Sequence, residues 1–272
     1  MEGSMARSKP KLITFGISHY CEKARWALDR HGIDYEEVGW PPGVHIMLSK
    51  RHGASATTLP IVLDGEQAIQ DSSTIIDWAD GHAESGTRSL TVPGCREIER
   101  RADDAIGVNV RRLFYAETLP SVPECVKPDL FRNASAQHRM LGDVMWPITR
   151  RVMMRKYDIT SSAAAESRAK LEDELDWLDG ELADGRPYLV GDRFSRADIC
   201  VASLLALFSG TEQIPYFHNF PTPKALTDIL ALWHERPVMK WVRKIYRTER
   251  FTNAAGRRSL AKLGGQVSLE AV

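Results

Sequence analysis

Ser18 stands between an apolar run, Lys11 to Gly16, and a segment of helix formers, His19 to Leu28. The first reads as a short buried strand closed by glycine, the second as a helix that Ser18 caps. Where a strand gives way to a helix N-terminus, free backbone N–H groups and the positive end of the helix dipole favour an anion. A hydroxyl there can donate a hydrogen bond to a thiolate and keep a bound thiol ionised near neutral pH. Capping alone is also a sufficient local account of the same serine. Cys21 follows three residues later, so Ser18-His19-Tyr20-Cys21 mimics a Cys-x-x-Cys motif with its first cysteine replaced. That makes Cys21 an alternative nucleophile, although a small cysteine packed beneath a helix is the commoner use. The eight histidines form no His-x-His or His-Glu-x-x-His cluster and the four cysteines no close pair, so no metal is expected.

The elements that would position these residues can be read in order. After the first strand and helix, Tyr35 to Val38 reads as a second strand and His45 to Lys50 as a short helix. Leu59 to Leu63 runs into Asp64-Gly65, a hairpin signal, with Ala68 to Gln70 as the return strand. Asp71-Ser72-Ser73 opens a helix ending near Gly81. The order is βαβ, a ββ hairpin, then α. Gly86 to Gly94 is a linker, and no strand is expected beyond residue 90. From Arg96 to Tyr115 one helix is expected, with Ile98, Ala102, Ala105 and Val108 or Asn109 along a face. Three prolines make 117–133 irregular. Helices follow over 134–155 and 163–182, the latter with a leucine stripe from Leu171 to Leu182. Ser195 and Asp198 form a capping-box-like pair, and Pro237 to Arg247 makes the last helix. Trp177 belongs with the core and Asp198 with structure.

Lys plus Arg and Asp plus Glu are equal at 36 each in 272 residues, against the basic excess of nucleic-acid proteins. No apolar run approaches the ~20 residues that cross a bilayer. Reduced thiols in the cytoplasm are the simplest reading of four scattered cysteines. Met5 reads as the native start, with Met1 to Ser4 an expression scar. Residues 243–262 carry seven Lys or Arg and one acidic residue, which reads as a solvated tail, with a site for an acidic partner as the lesser alternative.

Four segments in register resemble the cytosolic glutathione transferases, in particular serine-type, bacterial-like members: "SHYCEKARWAL", "TLPIVLDG", "QDSSTIIDW" and "YLVGDRFSRADICVAS". The resemblance spans about Lys11 to Arg247. It implies an α/β thioredoxin-like N-terminal domain over 11–84 and an all-α C-terminal domain over 95–250; the polar, glycine-containing end over 251–272 reads as a loose tail. It implies a cytoplasmic, homodimeric detoxification enzyme that conjugates glutathione, as co-substrate, to a small apolar electrophile. By the same resemblance Ser18 faces the glutathione sulfur and Leu59, before a cis Pro60, pairs with the cysteinyl backbone. Asp71 faces the γ-glutamyl amine and Ser72 holds its carboxylate. Phe15 stands where tyrosine-type members carry their hydroxyl. His19 replaces a common proline, and Thr58 stands where many members carry a lysine for the glycyl carboxylate, leaving His45, Lys50 or His52 to substitute. Arg112 and Tyr115 are candidates for the acceptor pocket. Two other functions fit the fold: a non-catalytic transferase-like binding or scaffold protein, and a glutathione-dependent reductase or thioltransferase using Cys21.

Overall fold

The computed structural model describes residues 9–212, 214, 222–253 and 255–258; the reading of Met1 to Ser4 lies outside them. Strand β1 (Lys11–Thr14) leads through helix α1 (His19–Arg30) to β2 (Glu36–Gly39), which pairs parallel to β1. After α2 (Val44–Arg51), β3 (Ile61–Asp64) and β4 (Gln67–Gln70) form an antiparallel hairpin, and β3 pairs antiparallel to β1. The sheet order is β2-β1-β3-β4. Strand alternation divides the side chains: Leu12 and Val62 join Ala24 and Leu28 of α1 and Ile75 of α3 (Ser72–His82), while Ile13 and Ile61 pack with Trp40 and Leu59. Asp80 of α3 accepts from Ser89, Leu90 and Thr91 and so ties down the linker.

The rest is helical; among the described residues no strand follows Gln70. The helix expected over Arg96 to Tyr115 is α4 (Cys95–Arg101), a π turn (Ala102–Gly107) and α5 (Val108–Thr118) in continuous succession. Ala102 and Asn109 are buried as expected, but Ile106 is buried in place of the half-buried Ala105, and Val108 is exposed. A π turn winds more slowly than an α-helix, so the buried face arrives one residue late after it. The stretch 117–133, expected to be irregular, contains α6 (Pro123–Leu130): Pro123 occupies the first helical position, where its fixed φ starts a helix. Helices α7 (Ala136–Lys156) and α8 (Ser161–Glu181) are close to expectation. Helix α9 (Arg196–Ser209) is buried along its whole length, with the Asp198 carboxylate accepting from Ser195 N–H. Helix α10 (Lys224–Trp233) is an addition to the expected elements, although Leu226, Ile229 and Trp233 are buried at helical spacing. Helix α11 (Pro237–Ile245) passes into a second π turn, Tyr246–Arg250.

Two ion clusters join the halves through α1. Lys23 Nζ, fully buried, meets Ser73 Oγ at 2.9 Å, Glu99 Oε1 at 2.9 Å and Asp103 Oδ2 at 2.7 Å. Arg196 shares Glu99 and adds the Ser73 carbonyl at 3.0 Å and Asp77. Arg250, expected on a solvated tail, is instead buried, with Nε 2.7 Å from Glu22 and a terminal nitrogen 2.8 Å from Asp29. The segment after it, expected to be loose, is fastened where it is described: Asn253 donates to the Asp29 carbonyl and Ala255 is buried. Residues 259–272 lie outside the described residues.

Candidate functional site

The sheet register gathers the candidate residues. Ile61 opposes both Ile13 of β1 and Gln70 of β4. Phe15 to Ser18 after β1, Leu59–Pro60 before β3 and Asp71–Ser72 after β4 therefore all emerge at one end of the sheet. The Gln70 amide closes that end by accepting from Ala56 N–H and donating to the Ala56 and Thr58 carbonyls, each at 2.8 Å. The Leu59–Pro60 peptide is cis. The backbone N–H and C=O of Leu59 meet no partner among the described residues.

Ser18 is extended (φ −70°, ψ 121°) and caps α1, its Oγ accepting from Cys21 N–H at 3.3 Å. That bond uses a lone pair and leaves the hydroxyl proton to be donated. The first π turn steadies the residues that follow. Tyr20 Oη donates to the Asp103 carbonyl at 2.9 Å and His19 bonds to the backbone of Gly107. Gly107 lies so close that a Cβ would fall 2.2 Å from Tyr20 Oη, so only glycine fits there.

Asp71 caps α3 with φ 82°, accepting from Ser73 N–H at 2.8 Å and Thr74 N–H at 3.4 Å. Its φ lies where non-glycine residues are rare and strained, a feature that clusters at ligand sites. Ser72, the first residue of α3, is buried.

A cavity of about 390 Å³ opens where α1, α2 and the loop through Thr57 to Leu59 face α5 and α7. Of the expected residues, Ser18, His45, Leu59 and Tyr115 line it, together with Thr58; Pro60, Asp71, Ser72, Cys21 and Arg112 do not. Arg112 turns toward α8 and donates to the Tyr157 carbonyl at 3.1 Å and Ser167 Oγ at 3.4 Å. Its neighbour Arg111 lines the cavity in its place. Cys21 is fully enclosed, and burial pushes its thiol up, which is opposite to what an activated nucleophile needs.

His45 is no cationic substitute for the missing lysine. Its Nδ1 accepts from Gly43 N–H at 3.1 Å, and burial chiefly, with Lys156 nearby, holds its ring down at about 4, hence neutral. Lys50 and His52 lie outside the lining, His52 stacking on Trp40. The lining cations are Arg111 and Lys156, neither of them expected. Arg111 shares a helix face with Phe114 and Tyr115, three and four residues on, which both line the cavity; that spacing was the available signal. Among the described residues no group of three or more His, Cys, Asp or Glu is arranged to hold a metal, and no helix is long and apolar enough to cross a membrane.

A βαβ-ββα domain with a ligand-ready edge, followed by a helical domain that roofs the same cavity, defines a thioredoxin-like two-domain protein. The chain belongs to the glutathione S-transferase superfamily. Residues 12–87 match the glutathione S-transferase N-terminal domain and residues 161–239 its C-terminal domain. The chain is similar to glutathione S-transferase TCHQD of Arabidopsis thaliana, 28% identical over 242 residues, covering 81% of this chain and 84% of the relative. Its fold is similar to that of the β-etherase LigF of Sphingobium sp. strain SYK-6, with a TM-score of 0.63, 15% identity and coverage of 94% and 100%. It is also similar to a glutathione S-transferase of Ceriporiopsis subvermispora solved in complex with glutathione, with a TM-score of 0.62, 16% identity and coverage of 91% and 99%.

Proposed function

We propose that the protein binds glutathione along the sheet end and uses Ser18 to hold its thiol ionised for transfer to an electrophile. The observation that carries this reading is the pairing, in one cavity wall, of a capping serine with a free hydroxyl proton and of Leu59 with an unpaired backbone. Leu59 N–H and C=O offer one strand rung to the cysteinyl backbone of glutathione. The γ-glutamyl carboxylate suits Ser72 at the N-terminus of α3, and the amine suits the exposed Asp71 carboxylate. The thiol gives its proton to solvent. Ser18 Oγ–H and the first-turn N–H groups of α1 stabilise the sulfur charge that remains.

The thiolate then attacks a carbon bearing a leaving group. The carbon–sulfur bond forms and the leaving group departs with its electron pair, without net oxidation or reduction. Ile17, Phe114, Met153 and Leu207 give the wall the apolar character that suits such an acceptor. Proximity of the two reactants supplies the remainder of the rate enhancement. The same reading carries a cytoplasmic homodimer with the boundaries given above.

The test compares wild type with Ser18→Ala. Thiolate absorbance of bound glutathione, titrated with pH, should shift upward by about one to two pH units, the worth of one charge-assisted hydrogen bond. Turnover of a reactive aryl halide should fall in parallel. Identical titration curves and rates would leave Ser18 a cap and nothing more.

A further inference from the structure

The acceptor side of the cavity carries charge of one sign. Arg111 lines it with Nε enclosed and without a hydrogen-bond partner, the guanidinium 4.5 Å from the ring centroid of Tyr157 and 5.9 Å from that of Tyr20. Neither Arg111 nor Lys156 makes an ion pair with any described residue, and no carboxylate lines the cavity. Arg112, one residue on, by contrast donates to the Tyr157 carbonyl and to Ser167 of α8. His19, 4% exposed, also faces the cavity with Nε2 unpartnered.

The groups facing Arg111 do not cancel its charge. Burial, and then Arg111 itself, holds the His19 ring down at about 3, so it is neutral at pH 7. Burial pushes the Tyr20 and Tyr115 phenols up, so they are neutral as well. His45, across the cavity, is likewise neutral. The wall therefore presents two cations and no anion, with Arg111 set among aromatic rings and Lys156 exposed at the mouth. An arginine half-enclosed without an acceptor is costly until an anion reaches it.

Resting on the transferase reading above, we propose that the acceptor is an aromatic electrophile bearing a carboxylate or similar anionic group, with its ring among Tyr20, Tyr115 and Tyr157 and its anion on Arg111. Lys156 adds longer-range attraction at the entrance. Glutathione brings its own anion to the cavity, so the test must separate an arginine that serves the sulfur from one that serves the acceptor.

A matched pair does so: 4-chloro-3,5-dinitrobenzoate and its neutral carboxamide, each rate divided by the uncatalysed rate. Sulfur bonds to the chlorinated carbon in both and chloride leaves with the bonding pair. Wild type should favour the benzoate by about tenfold to a hundredfold, the range of one charge-assisted hydrogen bond. Added salt should erode that preference, since Arg111 is partly exposed. Arg111→Met should collapse the ratio and Arg111→Lys should keep most of it. Calorimetric binding of the two finished S-aryl glutathione products reads the same preference without turnover. A glutathione-dependent reaction indifferent to the acceptor's charge overturns this inference and leaves the transferase reading standing. Equal losses on both substrates in Arg111→Met, with a raised pKa of the bound thiol, also overturn it by assigning Arg111 to the sulfur. If neither substrates nor products engage the protein, both readings fall together.

Discussion

Asp198 offers a perturbation whose size and pH dependence follow from its surroundings. The carboxylate is fully buried, with Oδ1 accepting from Leu189 N–H at 2.8 Å and Oδ2 from Ser195 N–H at 2.8 Å and Ser195 Oγ–H at 2.9 Å. Burial outweighs these donors and pushes the carboxyl from 3.8 up to about 6. Between those two values the folded chain holds a proton that the unfolded chain has lost. Stability from this group is therefore fully present below the unfolded pKa and is lost as pH rises through the folded one. Integrated from pH 4.5 to 7.5, the loss is about 2 kcal/mol at 1.36 kcal/mol per unit. Asp198→Asn cannot ionise and so lacks this slope. It also turns an NH₂ group toward one backbone donor, which orphans that donor at a cost of roughly 1–3 kcal/mol. Urea unfolding of both proteins at pH 4.5, 5.5, 6.5 and 7.5 should show the variant clearly weaker at the acid end. The gap should narrow by about 2 kcal/mol toward pH 7.5. A gap that stays constant, or widens with pH, would refute the argument that desolvation governs this carboxyl.

Other expectations concern binding, the chain end and assembly. Asp71→Ala and Ser72→Ala should weaken glutathione binding and raise KM with little change in kcat, because both groups lie remote from the sulfur; wild-type calorimetric affinity in either variant would break the register proposed for the γ-glutamyl end. Asp71→Ala should in addition lose roughly 1 kcal/mol as an α3 cap, visible in the urea midpoint. Arg250→Met leaves Glu22 and Asp29 without their shared buried cation and should cost roughly 3–5 kcal/mol by the same assay, against near zero for a solvated tail residue. Light scattering should give twice the 30.6 kDa chain mass, with the faces of α3 and the α4–α5 segment near the two-fold; a species of one chain mass would exclude the dimer.

The caps and the hairpin turn around the site were legible in the residues. Ser18 caps through a bond to Cys21, Asp71 through bonds to Ser73 and Thr74, and Asp198 reaches back to Ser195, each within three residues. The Asp64-Gly65 turn, with Gly65 at φ 61°, joins β3 to β4 as its composition demands. Three prolines within a short stretch argue against a helix, yet Pro123 sits at a helix start, where its fixed φ favours one. Trp177, expected in the core, is partly buried against it, with the Arg101 guanidinium 3.6 Å from its ring centroid.

Short runs of residues set the order of the strands and of most helices with their caps and turns, α6, α10 and the two π turns excepted. Those outcomes rest on bonds between near neighbours and on strand alternation, both written in consecutive residues, whereas the shared sheet end of Ser18 and Leu59 needs the long-range pairing of Ile13 with Ile61. Which arginine enters the cavity, the approach of Lys156, and the burial of Arg250 against α1 were decided by tertiary structure alone. Arg111 and Arg112 are adjacent cations about 100° apart on a helix. The choice between them depends on a π turn whose carbonyl holds Tyr20 across 83 residues of chain, and on Ser167 of α8, 55 residues beyond Arg112. Glu22 meets Arg250 across 228 residues. Such contacts have no local periodicity to announce them, because each partner is ordinary in its own segment and acquires its role only when the helices pack.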